Sequence, residues 1–290
     1  MTGILLVDKP EGLSSAGVIR ALKGRLGGAK VGHLGTLDPF ASGLLPLCVG
    51  EATKVARYLL LERKEYTGTV RLGIETDTLD RTGETLATAD VPDLSAQRLA
   101  AVAEGFVGRQ HQVPPMYSAL KRDGVPLYKL ARRGLEVERA AREIEIRRLE
   151  LVQRDRERID FTVECSKGTY VRVLAADLGR ALGTVAHLER LRRTAVGDFR
   201  VADAQTPESL ATMSVLPLVA IRHALAELRA FPLNGDALGQ LRRGQQAPLR
   251  GLPRGKIGEA ALVVNDAGTV SALVEVGPDG WRLTRMLGTN

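Results

Sequence analysis

Strand-like and helix-like segments follow one another along this chain without the regular strand–helix–strand alternation of a parallel α/β protein. That irregularity constrains the fold more than any other feature. Apolar or β-branched runs at Ile4–Val7, Leu44–Val49, Tyr66–Leu72 and Ile159–Cys165, with further strands within 135–151, read as strands. Helical periodicity runs from Ser14 or Ser15 to Leu26, with Val18, Ile19, Leu22 and Leu26 on one face and Gly27-Gly28 as the stop. Further helices are expected at Ala52–Leu60, Ser95–Gly105, Tyr170–Leu182 and through most of Pro207–Leu228. The expected fold is α+β, with a mixed, mainly antiparallel sheet and flanking helices.

The chain of 290 residues is long enough for two domains. The composition changes near residue 231. Arg242-Arg243-Gly244, Pro248 and a series of glycines lead into short strands at Ala260–Asn265, Ser271–Val276 and Trp281–Leu287, with a hairpin signal at Asp266-Ala267-Gly268. The expected division is therefore 1–230 and a small β-rich unit at 231–290. With 44% hydrophobic and 26% charged residues the chain is globular. Two distant cysteines, Cys48 and Cys165, make neither a disulfide scaffold nor a metal module and fit a reducing compartment. No apolar run reaches membrane-spanning length, and the start lacks a secretion signal, so a cytoplasmic protein is expected. The net charge of +7 favours a polyanionic partner.

Three local sequences carry chemistry. In Gly32–Pro46, Asp38 sits among glycines and Pro39 and is followed at once by an apolar strand, which fixes a carboxylate against the edge of a core. Its glycines match neither nucleotide-binding pattern, so no nucleotide cofactor is implied. In Cys165–Arg172, a helix start brings Tyr170 and Arg172 together; taken alone, Thr169 as a cap and an exposed Arg172 is the simpler reading. The polar stretch Gln110–Gly134 interleaves tyrosines with Lys121, Arg122, Lys129, Arg132 and Arg133. These residues suit phosphate contacts and base stacking, against the alternative of a solvated insertion. His187–Thr194 adds a basic cluster. Asp77 and Asp80 are too thin a set for a metal and read as a solvated loop.

Together these segments resemble the bacterial tRNA pseudouridine synthase B family. The strings that carry the resemblance are Asp8-Lys9-Pro10, Gly32–Pro46, Lys64-Glu65-Tyr66, Pro114–Lys121, Cys165–Arg172 and Leu191-Arg192-Arg193-Thr194, in the family's order. The resemblance implies a pseudouridine synthase core with an RNA-clamping insertion at about 110–134 and a PUA-like RNA-binding domain at the C-terminal end. It implies isomerisation of uridine 55 in the T loop of tRNA, with no cofactor and no metal. Asp38 would be the catalytic aspartate, Arg172 its partner, and Tyr66 the ring against the uracil. Tyr170 and Leu191 would line the pocket, and His33 would hold the rearranged T loop. Lys64, Lys121, Arg132 and Arg192 would contact the RNA. On this resemblance Asp38 would attack C6 of the base or C1′ of the ribose, or deprotonate C2′, and the sequence does not choose among these. The expected partner is the T arm of tRNA, and the expected state a monomer. Two other functions stay open at this point: a non-catalytic tRNA-folding chaperone and a synthase that depends on a guide RNA.

Overall fold

The computed structural model describes residues 1–59, 63–122 and 124–288. Its centre is a ten-stranded mixed sheet. The strand order is Leu218–Val219, Gly3–Lys9, Ser42–Val49, Ala186–Val196, Lys64–Leu72, Arg158–Cys165, Arg142–Asp155 and Gly108–Gln112. Val31–His33 pairs with Ser42–Val49, and Phe199–Arg200 with Ala186–Val196. All of these pairings are antiparallel except one: Ser42–Val49 and Ala186–Val196 run parallel, with Arg192 beside Ser42 and Arg193 beside Gly43.

The strands follow their sequences. Along Arg158–Cys165, Ile159, Phe161, Val163 and Cys165 are buried and their neighbours half-buried, the period of two that a pleated strand imposes. Ser42–Val49 lacks this alternation because both of its faces are covered. Leu45, Leu47 and Val49 enter one core, and Leu44 and Cys48 enter another. The first core lies under the helices Ala96–Phe106 and Val171–Leu182. Ser95 caps the former by accepting from the Arg98 N–H at 3.1 Å, and Gly183, at φ 90°, ends the latter.

Several expected elements are shorter or broken. The first helix spans only Ser15–Ala21, capped by Ser14. Gly24, Gly27 and Gly28 disfavour its continuation, although irregular turns still bury Leu22 and Leu26. The segment expected as a helix at Ala52–Leu60 is a 3₁₀ turn, Gly50–Lys54, followed by Ala56–Leu59, and Leu60 lies outside the described residues. Pro207–Leu228 is not one helix. Short helices at Pro207–Thr212 and Ile221–Ala224 flank the strand Leu218–Val219, which pairs with the start of Gly3–Lys9. Pro217 forbids a continuous helix there. The stretch 110–134 is structured in part, with a short hairpin of Lys121–Arg122 and Val125–Pro126 and the helix Leu127–Ala131. Among the described residues no helix is long and apolar enough to cross a membrane.

The small β unit is a four-stranded sheet in the order Arg229–Pro232, Ala260–Val264, Val270–Gly277, Gly280–Met286. Its first strand straddles the 230/231 boundary expected from composition. One side has its own core, where the rings of Phe231 and Trp281 meet edge to face at 5.2 Å. On the other side Leu262, Val270 and Leu273, together with Leu287, join a core with Ile4, Leu44, Cys48 and Val55. This shared core has a consequence for truncation. Deleting 231–290 uncovers buried side chains of the large sheet, at about 1.5–3 kcal/mol for each large one. The truncated chain is expected to melt more than about 10 °C below the full chain by calorimetry. An unchanged melting temperature would show that the two sheets are independent.

Candidate active site

Asp38 sits on a turn pinned from several sides. The Ala41 N–H donates to the Asp38 carbonyl at 3.1 Å, and the Gly12 N–H to the Pro39 carbonyl at 2.7 Å. The buried Ser15 hydroxyl accepts from the Leu37 N–H at 2.9 Å and donates to the Leu37 carbonyl at 3.0 Å. The fully buried Lys9 ammonium donates to the carbonyls of Pro10, Leu13 and Pro39 at 2.8, 2.7 and 3.3 Å. Leu37, Phe40 and Ala41 anchor the turn in the main core. The Asp38 side chain itself is 37% exposed, between the exposed Thr36 and Pro39.

The Asp38 Oδ2 lies 3.0 Å from Nε of Arg172, whose side chain is only 6% exposed. Arg172 is the second residue of the helix Val171–Leu182, where a cation opposes the helix dipole, so its position depends on other groups. Its Nη1 donates to the Thr78 carbonyl at 2.9 Å and lies 3.5 Å from Oδ2 of Asp80; its Nη2 donates to the Tyr117 carbonyl at 2.7 Å. The planar fork thus serves four partners at once, which a lysine ammonium is not shaped to do. Asp80 is buried and is not part of a solvated loop. Its Oδ1 accepts from the Thr78 hydroxyl, the Thr82 N–H and the Thr82 hydroxyl at 2.9, 2.9 and 2.6 Å. Its only sequence signal is a carboxylate set among threonines that can satisfy it.

Burial pushes the Asp38 carboxyl above the usual carboxylate range. Arg172 opposes that rise, Asp80 adds to it, and Lys9 opposes it. Burial brings Lys9 down to about 8, with Asp38 and Glu11 working against the fall.

Tyr66 and Tyr170 lie within the influence of the Asp38 charge, and His33 and Lys64 lie beside Arg193 and Gly35, whereas Leu191 lies along a groove with Arg192. Tyr66 is buried, and burial raises its hydroxyl pKa while the Arg193 guanidinium resists. Tyr170, not Thr169, is the residue before the helix, and its N–H and carbonyl are held by the Gln112 side chain at 2.8 and 3.2 Å. His33 is driven towards its neutral form by burial and by Arg193. Leu191 and Lys64 are buried.

Among the described residues, Lys121, Arg132 and Arg192 form no ion pair with Asp38 or Asp80. Lys121 is exposed on the hairpin, and Arg132 stacks on the Tyr128 ring at 5.7 Å. Arg192 makes a bidentate pair with Asp8 at 2.9 and 2.7 Å. The basic cluster His187–Thr194 is divided by a central strand: His187 and Arg193 are buried, while Arg190 is exposed and Arg192 partly exposed. A groove of about 440 Å³ takes in Leu191 and Arg192, with Thr67, Thr69, Asp160 and Arg190, but does not include Asp38, Tyr66 or Arg172.

Residues 23–171 match the TruB family pseudouridylate synthase N-terminal domain, and residues 172–227 the tRNA pseudouridylate synthase B C-terminal domain. The chain belongs to the TruB family. Relatives in this family include the tRNA pseudouridine synthase B of Nitrosococcus oceani, 45% identical over 264 residues, covering 87% of this chain and 86% of that one. The tRNA pseudouridine synthase B of Aromatoleum aromaticum is 54% identical over 218 residues, covering 74% of this chain and 68% of that one. The TruB fold also superposes on solved structures. One is an H/ACA RNP bound to a substrate RNA containing 2′-deoxyuridine (TM-score 0.70, 20% identity, 99% of this chain and 85% of that one). Another is a Cbf5-Nop10-Gar1 complex (TM-score 0.68, 23% identity, 99% and 84%). The TruB family isomerises uridine to pseudouridine in tRNA.

Proposed function

We propose that this chain converts uridine 55 in the T loop of tRNA to pseudouridine, with Asp38 as its catalytic group. The observation that carries the reading is the Asp38 carboxylate, partly exposed on a rigid turn and paired at 3.0 Å with a buried guanidinium. The reaction breaks the bond between N1 and C1′, turns the uracil, and joins C5 to C1′; C5 loses a proton and N1 gains one. It is an isomerisation without net redox change, so it calls for no electron carrier.

The target base must first leave its stack, at a cost of a few kcal/mol. Stacking on an aromatic ring recovers about 1–3 kcal/mol, and Tyr66 supplies that ring. Tyr170 and Leu191 shape the pocket, and a neutral His33 can hydrogen-bond the splayed loop without adding charge. Lys121, Arg132 and Arg192 supply phosphate contacts, Arg192 by exchanging Asp8 for a phosphate, whereas Lys64 is buried and adds positive charge to the site without touching the RNA. The insertion at 110–134 clamps the T arm, and the unit from 231 to 290 is PUA-like and adds affinity through Arg242 and Arg243. A monomer in the cytoplasm suffices.

Tritium release from 5-³H-uridine T-arm RNA tests the reading directly. The purified chain alone is expected to release tritium in proportion to pseudouridine mapped at position 55. Absence of release on the bare stem-loop would point to a guide-RNA-dependent enzyme or to a non-catalytic tRNA chaperone. Tyr66→Leu is expected to slow the single-turnover rate about 10²-fold while leaving RNA affinity within about threefold, since a leucine fills the space without a stacking face. Unchanged single-turnover kinetics would remove Tyr66 from the chemical step.

A further inference from the structure

Arg193 is the largest fully buried side chain among the described residues, and no carboxylate there forms an ion pair with it. An arginine buried without a counter-charge is costly, so its hydrogen bonds must do something a neutral side chain would not. Those bonds go to the two ends of one turn. Its Nε donates to the Leu44 carbonyl at 2.8 Å and its Nη2 to the Gly35 carbonyl at 3.0 Å. In sequence, Asp38 falls between Gly35 and Leu44.

Two glycines make room for this arrangement. At Gly43, φ 102°, an added Cβ would fall 2.3 Å from the Arg193 carbonyl oxygen, and at Gly35, φ 99°, one would meet Nη1 at 3.4 Å. The backbone of Arg193 pairs with Tyr66 on one side and with Gly43 on the other. The Tyr66 hydroxyl also lies within the influence of its guanidinium.

We propose that Arg193 is a positioning residue that holds the Asp38 turn and the Tyr66 ring as one rigid unit. It clamps the start and end of the turn through Gly35 and Leu44 while its own strand carries the register to Tyr66. The inference rests on the catalytic reading of Asp38 and deepens it. Arg172 sets the charge of the acid; Arg193 sets where the acid stands relative to the ring that receives the base. A misplacement of about 1 Å at a reacting group lowers rates about 10²-fold.

The test uses the full chain and T-arm RNA. The parent protein is assayed first, and failure there would refute the catalytic reading rather than this inference. Arg193→Lys keeps the charge and most of the volume but cannot span both carbonyls. It is expected to slow single-turnover pseudouridine formation at least about 30-fold, with RNA affinity within about threefold and a melting temperature within a few degrees of the parent. Arg193→Met is expected to be slower still. Should the methionine variant fail to fold, the lysine variant and a cycle with Tyr66→Phe decide the matter. The double variant Arg193→Lys/Tyr66→Phe is expected to be no more than about threefold slower than Arg193→Lys alone, because the two groups act as a unit. A near-parental rate for Arg193→Lys would overturn the proposal. So would effects that multiply in the double variant, or a loss of affinity and stability that matches the loss of rate.

Discussion

Asp38→Asn is expected to lower single-turnover pseudouridine formation by more than about 10³-fold, the scale on which enzymes lose rate when an essential nucleophile or base is removed. The asparagine keeps the shape of the side chain and a carbonyl oxygen that can still accept from Nε of Arg172, so the turn held by Lys9 and Ser15 is unchanged. RNA affinity is therefore expected to stay within about threefold of the parent. Folding is not expected to suffer either. A carboxyl whose pKa is raised on folding contributes stability that is fully present below its unfolded pKa and is lost as pH rises through the higher folded value. At neutral pH the ionised Asp38 is thus a burden on the fold that asparagine removes, and the melting temperature should be equal or higher. Tritium release within tenfold of the parent would exclude Asp38 from the chemistry.

The second large effect is expected from Arg172→Met. Arg172 is the main group opposing the rise of the Asp38 pKa, so its loss moves the carboxyl further up. At neutral pH less of the acid is ionised, and the rate is expected to fall at least about 10²-fold. Because the cause is protonation, part of that loss should return as pH increases, and the acid limb of the pH–rate profile should be displaced to higher pH than the parent's. The variant also removes the cation that pairs with the buried Asp80 and strips donors from the carbonyls of Thr78 and Tyr117. Breaking a buried pair costs about 3–5 kcal/mol, so the profile is best measured well below the lowered melting temperature. Arg172→Lys should keep part of the rate, because it restores the charge without the four-way fork. An acid limb that coincides with the parent's would show that Arg172 does not set the ionisation of Asp38.

Much of the site was legible because it lies in short strings whose chemistry is local. Asp38 before Pro39, with an apolar strand beyond, announces a carboxylate fixed at a core edge. The simpler reading of 165–172 failed in an instructive way. It capped the helix with Thr169 and exposed Arg172, whereas the Thr169 hydroxyl donates to the Ser166 carbonyl and Arg172 is buried. Nothing within ten residues of Arg172 reveals this, since its partners stand at 38, 78, 80 and 117. Asp80 was hidden for the same reason. A threonine-rich acidic segment has one appearance whether it faces water or a guanidinium. Only part of the basic run at 187–194 stays at the surface, because charge counted along a chain says nothing of which face of a central strand each residue takes.

The sequence by itself determined the elements whose causes are local: a first helix opening at Ser14 or Ser15, helices near Ser95–Gly105 and Tyr170–Leu182, the strand ending at Cys165, and a family assignment carried by strings in a fixed order. Only the tertiary structure decided that Asp38, Arg172 and Asp80 form one cluster, that Arg193 lies wholly inside, and that the small sheet shares a core with the large one. The physical reason is that caps and periodicity act within a turn or two of chain. The burial of a charge, by contrast, is settled by side chains that arrive from distant strands.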